Sequence, residues 1–350
     1  MKRELLQLAH TFNPDKHCVG GYFASEKLDG MRCFWDGGTS RGRPSAQIPW
    51  ANTAKDFRLK EEVIATGLWS RYGKVIRAPD WFLDKLPPHI PLDGELYLGP
   101  GQFQELVSIV KRHDADNRWE FVKYCIFEIV PTDQFYLAGR INNPNYKTDA
   151  FDGGAHEAAM LLIPNRSFER QLGVLDTLSG DFDPEHLSVV WQEKLPIQTQ
   201  KAEDRVEEMM YEVQERGGEG IILRKSESIW LPRRTQNLLK VKPVFDSEAV
   251  VTGYVWGKGK LENLMGTLVV RWQDKEFELS GFTDVERRLC DVNGPVTGSS
   301  VHVDTTPKTK VSVNVASQHF PRGSKVTFKF RELSNDGIPK EARYMRPAAE

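Results

Sequence analysis

The spacing of apolar residues along the first two-thirds of the chain predicts alternating strands and helices. Alternating or nearly continuous apolar runs predict strands at 22–28, 31–36, 90–97 and 121–130. Apolar residues three and four positions apart predict helices at 103–111 and 201–216, the second ending at a glycine pair. The dipeptide Asp29-Gly30 predicts a hairpin turn between the first two strands. From 132 to 168 the pattern weakens, which predicts a long surface excursion.

The pattern changes after Pro243. Short strands are predicted at close spacing, at 248–256, 264–272, 276–282 and 325–330, with one helical segment at 284–291. Several short strands in one compact stretch favour a small β-barrel of the kind that binds oligonucleotides. We therefore predict two domains, at 1–243 and 244–350.

Composition narrows the class of protein. The 350 residues are 39% hydrophobic and 27% charged, which is typical of a globular protein with room for two domains. Every long apolar run is interrupted by a charge, so no segment is predicted to cross a membrane. The first ten residues lack an uninterrupted apolar core, so we predict a short surface helix there and a cytoplasmic protein.

Cysteines and charge exclude two further classes. The four cysteines lie far apart without a Cys-x-x-Cys pair, which fits neither a zinc ribbon nor a disulfide framework. A net charge of −2 means that any binding of nucleic acid must come from local patches. One candidate is 308–346, where nine basic residues face three acidic ones. A barrel edge protected by lysines is the alternative interpretation.

Six short motifs follow one another along the chain. They are Lys27-Leu28-Asp29-Gly30-Met31-Arg32, Ser40-Arg41-Gly42, Asp93-Gly94-Glu95, Phe127-Glu128, Glu219-Gly220-Ile221-Ile222 and Leu239-Lys240-Val241-Lys242-Pro243. Each motif alone is a weak signal, because Asp-Gly dipeptides and paired lysines are common. In this order the series resembles the covalent nucleotidyltransferases, which comprise ATP-dependent DNA ligases, RNA ligases and messenger-RNA capping enzymes.

Lys27 is the predicted nucleophile. An ordinary lysine has a pKa of about 10.4, so its amine is mostly protonated at neutral pH. Partial burial and positive neighbours, here Arg32, Lys240 and Lys242, would favour the neutral amine. The resemblance implies that Lys27 attacks the α-phosphate of ATP and forms a lysyl-AMP phosphoramidate. A surface lysine on a hairpin is the alternative.

Other residues are candidates for nucleotide contacts. Lys240 and Lys242 lie two apart on a predicted strand, so they share a face and can both reach a triphosphate. The resemblance implies that they contact the α-phosphate. A solvated strand face would explain the same spacing.

The resemblance also implies roles for side chains of other motifs. Phe127 would stack on adenine, although a core position fits it as well. Arg32 and Arg41 would contact the AMP phosphate and ribose, because a guanidinium matches phosphate oxygens. Asp29 would order its loop and contact the nucleotide. Arg234 could reach the nucleotide too, or lie in an exposed turn.

Two acidic residues are candidates for a metal site. Glu95 and Glu219 are each next to a glycine at a predicted strand, and hard ions such as Mg²⁺ or Mn²⁺ prefer carboxylate oxygen. The resemblance implies that Glu219 helps to hold a catalytic metal, and that Glu95 contacts the ribose or the metal. Either carboxylate could instead pair with the lysines.

The end of the chain separates the members of this superfamily. Capping enzymes end in an Arg-x-Asp-Lys run that this sequence lacks, and RNA ligases often replace the barrel by a helical domain. NAD-dependent ligases carry a four-cysteine zinc site, and a non-catalytic binding protein would be expected to have lost Lys27 or the lysine pair. The tail from 330 to 340 resembles the barrel end of compact bacterial and phage DNA ligases, although their Arg-Phe-Pro is missing here.

We therefore expect an α+β protein, with a nucleotidyltransferase (adenylation) domain of antiparallel sheets and a C-terminal OB-fold β-barrel. The resemblance implies an ATP-dependent DNA ligase that seals 5′-phosphate/3′-hydroxyl nicks in duplex DNA as a monomer, with ATP and Mg²⁺ or Mn²⁺. Its expected DNA contacts are Lys325, Lys329, Lys340, Arg343 and Arg346. The last three are candidates for the basic contact residue of the last DNA ligase motif, near the end of the barrel.

Overall fold

The computed structural model describes residues 5–52, 63–130, 167–262, 264–288, 319–334 and 336–348. The chain divides into two compact units, 1–242 and 243–350. The excursion expected at 132–168 lies outside the described residues except for its last two positions. Within the described ranges, no helix combines the length and the apolar character that crossing a membrane requires.

The first unit contains two five-stranded sheets. The first sheet has the order β1 (Leu8–Thr11), β10 (Arg234–Val241), β9 (Ile221–Arg224), β2 (Phe23–Glu26) and β8 (Glu193–Lys194). The second has the order β4 (Leu68–Ser70), β3 (Met31–Asp36), β5 (Pro91–Tyr97), β6 (Lys123–Ile129) and β7 (Leu187–Val189). All neighbours are antiparallel except β1 with β10 and β6 with β7.

Each sheet has its own hydrophobic core. The described helices of this unit are α1 (Asp80–Leu83), α2 (Phe103–Val110), α3 (Phe168–Ser179) and α4 (Thr199–Glu215). Helix α2 buries Leu106, Ile109 and Val110 in the core of the second sheet, at the spacing that the sequence predicted. Helix α4 buries a similar stripe in the core of the first sheet.

The predicted hairpin at Asp29-Gly30 is wrong. Strand β2 pairs with β8 and β9, whereas β3 pairs with β4 and β5, so residues 27–30 cross from one sheet to the other. Gly30 is needed for close packing, because a Cβ there would lie 2.3 Å from the carbonyl oxygen of Leu96. The crossing places Lys27 where the two sheets meet.

The predicted surface helix at the start of the chain is also wrong for the described residues. Leu5 and Leu6 are each 1% exposed and share a core cluster with Trp50 and Trp69. Residues 8–11 then form β1, which pairs with β10 from the far end of the unit. The local pattern could not show this pairing, because the partner strand is remote in sequence.

The second unit is dominated by one antiparallel sheet. Its order is β13 (Lys275–Leu279), β12 (Met265–Trp272), β11 (Phe245–Trp256), β14 (Lys325–Phe330) and β17 (Arg343–Pro347). A two-stranded pair, β15 (Glu332–Leu333) and β16 (Pro339–Lys340), and helix α5 (Asp284–Arg288) are the other described strands and α-helix of this unit.

The edges of this sheet approach each other without a continuous ladder. A single bridge joins Ser280, directly after β13, to Arg343 at the start of β17. The amide of Tyr344 donates to the carbonyl oxygen of Ser280 at 2.7 Å. Among the described strands, this bridge is what joins the two edges of the sheet.

Candidate active site

A cavity of about 210 Å³ lies in the first unit and is lined by residues of both sheets. Among the predicted site residues, the lining includes Lys27, Arg32, Glu95, Phe127, Arg234 and Lys240. Residues from distant parts of the sequence are thus brought together, because β2, β9 and β10 supply one wall and β3, β5 and β6 supply the other. The structure thus forms a site from most of the predicted residues.

Lys27 forms an ion pair with Glu219. Its Nζ contacts Oε2 of Glu219, and the second oxygen, Oε1, lies 2.8 Å from Nζ of Lys242. Burial alone would raise the pKa of Glu219, but the two lysines hold that pKa below its ordinary value. From the sequence, positively charged neighbours were expected around Lys27. The structure places the carboxylate of Glu219 directly against the amine.

Backbone contacts hold Lys27 and Glu219 together. The amide of Lys27 donates to the carbonyl oxygen of Gly220 at 2.8 Å, directly beyond the end of β2. Gly220 has a φ of +152°, and a Cβ there would lie 2.3 Å from the carbonyl oxygen of Val241. The glycine therefore lets three backbone segments converge at the lysine.

Arg32 is fixed by a buried carboxylate. Its Nε and Nη2 donate to the two oxygens of Asp93 at 2.5 and 2.7 Å, and the Asp93 side chain is 0% exposed. Nε1 of Trp230 donates to the same carboxylate at 3.1 Å. A two-pronged ion pair of this kind fixes the plane of a guanidinium. The Arg32 guanidinium lies 4.9 Å from the ring centre of Phe127.

Phe127 is the extra residue of a β-bulge. In the ladder between β5 and β6, Asp93 pairs with Glu128 and Gly94 pairs with Ile126, so Phe127 has no opposite residue. A bulge redirects side chains relative to regular alternation. As a result the adjacent residues Phe127 and Glu128 both line the cavity.

The carboxyl of Glu95 has a pKa that is raised to near neutral pH. Glu95 pairs in register with Arg32 across β3 and β5 and lines the cavity. Burial raises the pKa of Glu95 to about 7, against the opposing effect of Arg32 and Lys27, while Glu219 adds to the increase. Because the negative charges of Glu95 and Glu219 disfavour each other, a cation bound by both carboxylates would stabilise their ionised forms.

The chemistry of these donors fits a divalent ion. Mg²⁺ is commonly bound by one or two carboxylates together with water and substrate phosphates. Glu95 and Glu219 supply the carboxylates, and the described residues contain no group of three ligands that includes them. Phosphate oxygens and water would have to complete the coordination.

Arg41 and Asp29 lie outside the cavity lining, whereas Arg234 belongs to it. Arg41 does not line the cavity, because its guanidinium donates to Asp84 and Asp80 at 2.6 and 2.7 Å. Arg234 lines the cavity and donates to the carbonyl oxygen of Ala9. Asp29 is half-buried in the crossing next to Lys27, outside the lining.

A buried ion pair beside the cavity, Glu128 with Arg224 on β9, was not predicted from the sequence. Both lie next to recognised motifs, in the runs Phe127-Glu128 and Glu219-Gly220-Ile221-Ile222-Leu223-Arg224. A charged residue in an otherwise apolar strand was the available signal. That signal does not reveal the partner, because the two strands belong to different sheets and are remote in sequence.

The predicted DNA contacts are exposed in the second unit. Lys325 and Lys329 lie on β14, and Arg343 and Arg346 lie on the neighbouring β17. Lys329 pairs with Arg343, and Thr327 pairs with Arg346, so these four basic side chains share one face. Lys340 lies apart on β16, 3.6 Å from Glu332, and positions 308 and 310 fall outside the described residues.

Comparison with known proteins gives consistent results. Residues 256–347 match the family described as "DNA ligase OB-like domain". The chain is 25% identical to a DNA ligase of Haemophilus influenzae over 342 residues, which cover 97% of this chain and 91% of that protein. A solved structure described as "DNA binding with a minimal scaffold: Structure-function analysis of Lig E DNA ligases" aligns with a TM-score of 0.59 and 26% identity, covering 98% of each chain. The chain is similar to DNA ligases over nearly its whole length, and the prediction of a ligase enzyme is confirmed.

Two further relatives add detail. A stretch of 65 residues, 18% of this ligase and 12% of the relative, is 43% identical to a DNA ligase of Methanothrix thermoacetophila. A structure named "Pmar-Lig_Pre." aligns with a TM-score of 0.60 over 97% of this chain and 66% of that one, and at 17% identity it supports the fold alone.

These comparisons confirm the predicted resemblance and fold class. The ligase is an α+β enzyme with a nucleotidyltransferase part and an OB-type part. Nick sealing in DNA is the function of the family.

Proposed function

We propose that this ligase seals nicks in duplex DNA by using Lys27 to take an adenylate from ATP. The observation that carries the proposal is the position of the Lys27 amine. It lines a cavity together with Arg32 and Lys240, and it is paired with Glu219. Phosphoryl transfer depends mainly on charge compensation and positioning, and this cavity offers both.

The first step forms the enzyme-adenylate. The amine of Lys27 must lose its proton before it can attack, and Glu219 is the carboxylate in contact with it. The nitrogen then bonds to the α-phosphorus while the bond to the bridging oxygen breaks and pyrophosphate leaves. Lys240, Lys242 and Arg32 supply positive charge for the phosphate oxygens in our proposal.

The adenylate then moves to DNA. The 5′-phosphate oxygen at the nick attacks the lysyl-AMP phosphorus, which returns Lys27 to its free amine. The 3′-hydroxyl next attacks the activated 5′-phosphate, a phosphodiester bond forms, and AMP leaves. We propose Phe127 as the stacking partner of the adenine.

Glu95 and Glu219 are the residues that we propose to hold Mg²⁺ or Mn²⁺. A bound divalent ion would neutralise charge on the phosphate oxygens. To bind the ion, Glu219 must give up part of its contact with Lys27 and Lys242. This change would also release the amine of Lys27. The carboxyl of Glu95 would then be held in its ionised form.

The proposal is tested with α-labelled nucleotide and Mg²⁺. We expect acid-labile label on the protein from ATP and none from GTP. Nicked DNA added to the labelled protein should discharge the label as AMP and give joined strands. Label from GTP alone would indicate a capping enzyme, joining of nicked RNA alone would indicate an RNA ligase, and absence of label would indicate a non-catalytic protein.

We propose nicked duplex DNA as the partner, with the shared basic face of β14 and β17 contributing to its binding. The logarithm of the binding constant falls linearly with the logarithm of the salt concentration. Removing one basic side chain that contacts a phosphate should make the slope of this line less steep by about 0.9. The double variant Lys329→Gln/Arg343→Gln should therefore reduce the slope by roughly 2, measured by fluorescence anisotropy on a nicked duplex.

A matched control removes the same charge elsewhere. Lys111 and Lys201 are exposed lysines of the first unit, and Lys111→Gln/Lys201→Gln should leave the slope of the parent protein. Equal slopes for both double variants would refute a specific role for the β14–β17 face.

A further inference from the structure

A buried ion pair joins the two sheets of the first unit at the cavity. Nη2 of Arg224, on β9, donates to Oε2 of Glu128, on β6, at 2.8 Å. The two side chains are only 2% and 4% exposed, and both residues line the cavity. The pair therefore connects opposite walls of the space that we propose for the nucleotide.

The fold orients both members of the pair toward this space. The bulge at Phe127 turns Glu128 to the cavity side of β6. On β9, Ile222 and Arg224 alternate with Ile221 and Leu223, which belong to the core beneath the first sheet. The charged residues are thus placed in the cavity wall by the strand geometry.

Arg224 keeps unused hydrogen-bond donors. Its Nε and Nη1 are buried and have no hydrogen-bond partner among the described residues. The guanidinium also lies 5.2 Å from the ring centre of Phe168, which is another lining residue. The unused donors point to a polar group that arrives with a ligand, either directly or through water.

The free energy of folding does not explain why a charged pair occupies this position. A buried ion pair loses much solvation, and an apolar pair of similar volume often holds a core equally well or better. The two donors of Arg224 without partners among the described residues lower the stability further, because a buried donor that makes no hydrogen bond costs free energy. The charges are therefore better explained by nucleotide binding than by folding.

We propose that Glu128 and Arg224 form a positioning pair for the nucleotide. The pair sets the separation of the two sheets, holds Phe127 next to it against the adenine, and presents the spare donors of Arg224 to the bound nucleotide. This inference rests on the proposed function, because it concerns the same cavity.

Two single variants test the pair. Glu128→Gln keeps the shape and removes the charge, whereas Arg224→Lys keeps the charge and removes the planar fork. We expect each to raise the KM for ATP in enzyme adenylation about 10-fold, with kcat changed less than about 3-fold. Calorimetry with a non-hydrolysable ATP analogue should show the same increase in Kd.

The control is a second ion pair of the same unit away from the cavity. Arg205 donates to Glu193 at 2.7 and 2.9 Å, and neither residue lines the cavity. Glu193→Gln should leave the Kd for the analogue within about 2-fold of the parent value. A purely structural role of Glu128 would make Glu128→Gln behave in the same way, and that result would overturn the proposal.

An apolar double variant keeps the test decisive if a single variant does not fold. Glu128→Leu/Arg224→Met should fold, because it leaves no unpaired buried charge. We expect it to bind the analogue at least about 10-fold more weakly than the parent, and binding at the parent affinity would overturn the proposal. If the parent protein itself bound no analogue, the proposed function would fail, which separates the two ideas.

Discussion

Lys27→Ala and Lys27→Arg proteins should form no enzyme-adenylate and should not seal an ordinary nick. Alanine removes the attacking nitrogen, and the guanidinium of arginine stays protonated at neutral pH and cannot attack. The rate of adenylation should fall by more than about 10⁴-fold, as measured by label from α-labelled ATP on the protein.

A bypass substrate separates chemistry from folding. Nicked DNA that already carries AMP on its 5′-phosphate needs only the attack of the 3′-hydroxyl. Both Lys27 variants should therefore retain measurable joining of this substrate. Lys111→Ala, at an exposed lysine of the same unit, should behave like the parent with both substrates. Normal nick sealing by Lys27→Ala would refute the covalent mechanism.

Asp93→Asn should destabilise the first unit strongly. The Asp93 carboxylate is fully buried and accepts hydrogen bonds from Arg32 and Trp230. Removing its charge leaves the Arg32 guanidinium without its anionic partner, and breaking a buried pair in this way costs about 3–5 kcal/mol. Denaturant unfolding of the parent and variant proteins measures the difference in the free energy of unfolding.

The control for this prediction is an exposed aspartate in an arginine pair. Asp84 contacts Arg41 at 2.6 Å, and its side chain is 65% exposed. Asp84→Asn should change the free energy of unfolding by less than about 1 kcal/mol, since surface pairs contribute little. Equal losses for the two variants would show that burial of Asp93 does not set its contribution.

Much of the local structure followed from the sequence. The apolar spacing located β3, β5, β6, β14 and helices α2 and α4 within a few residues. These elements bury a regular face, and a regular face has a period that is visible in a single sequence. The order of the motifs also supplied Lys27, Glu95, Glu219 and Lys240 as candidates, through the resemblance to the covalent nucleotidyltransferases.

Other features depended on partners that are distant in the chain. Asp29-Gly30 has the composition of a hairpin, but hydrogen bonding assigns its flanking strands to different sheets. Leu5 and Leu6 are buried only because β10 returns beside the start of the chain. Arg41 carries the right chemistry, yet the aspartates of and after α1 hold it away from the cavity.

The side chains that are chemically capable of the reaction, and the regular strands and helices, can be recognised from the amino-acid sequence. Which of those side chains meet depends on the folded chain. It brought Lys27 against Glu219, turned Glu128 toward Arg224 through the bulge at Phe127, and joined Arg32 to Asp93. The reason is physical: local periodicity reflects neighbours a few residues away, whereas strand pairing and burial of charge depend on contacts between distant segments.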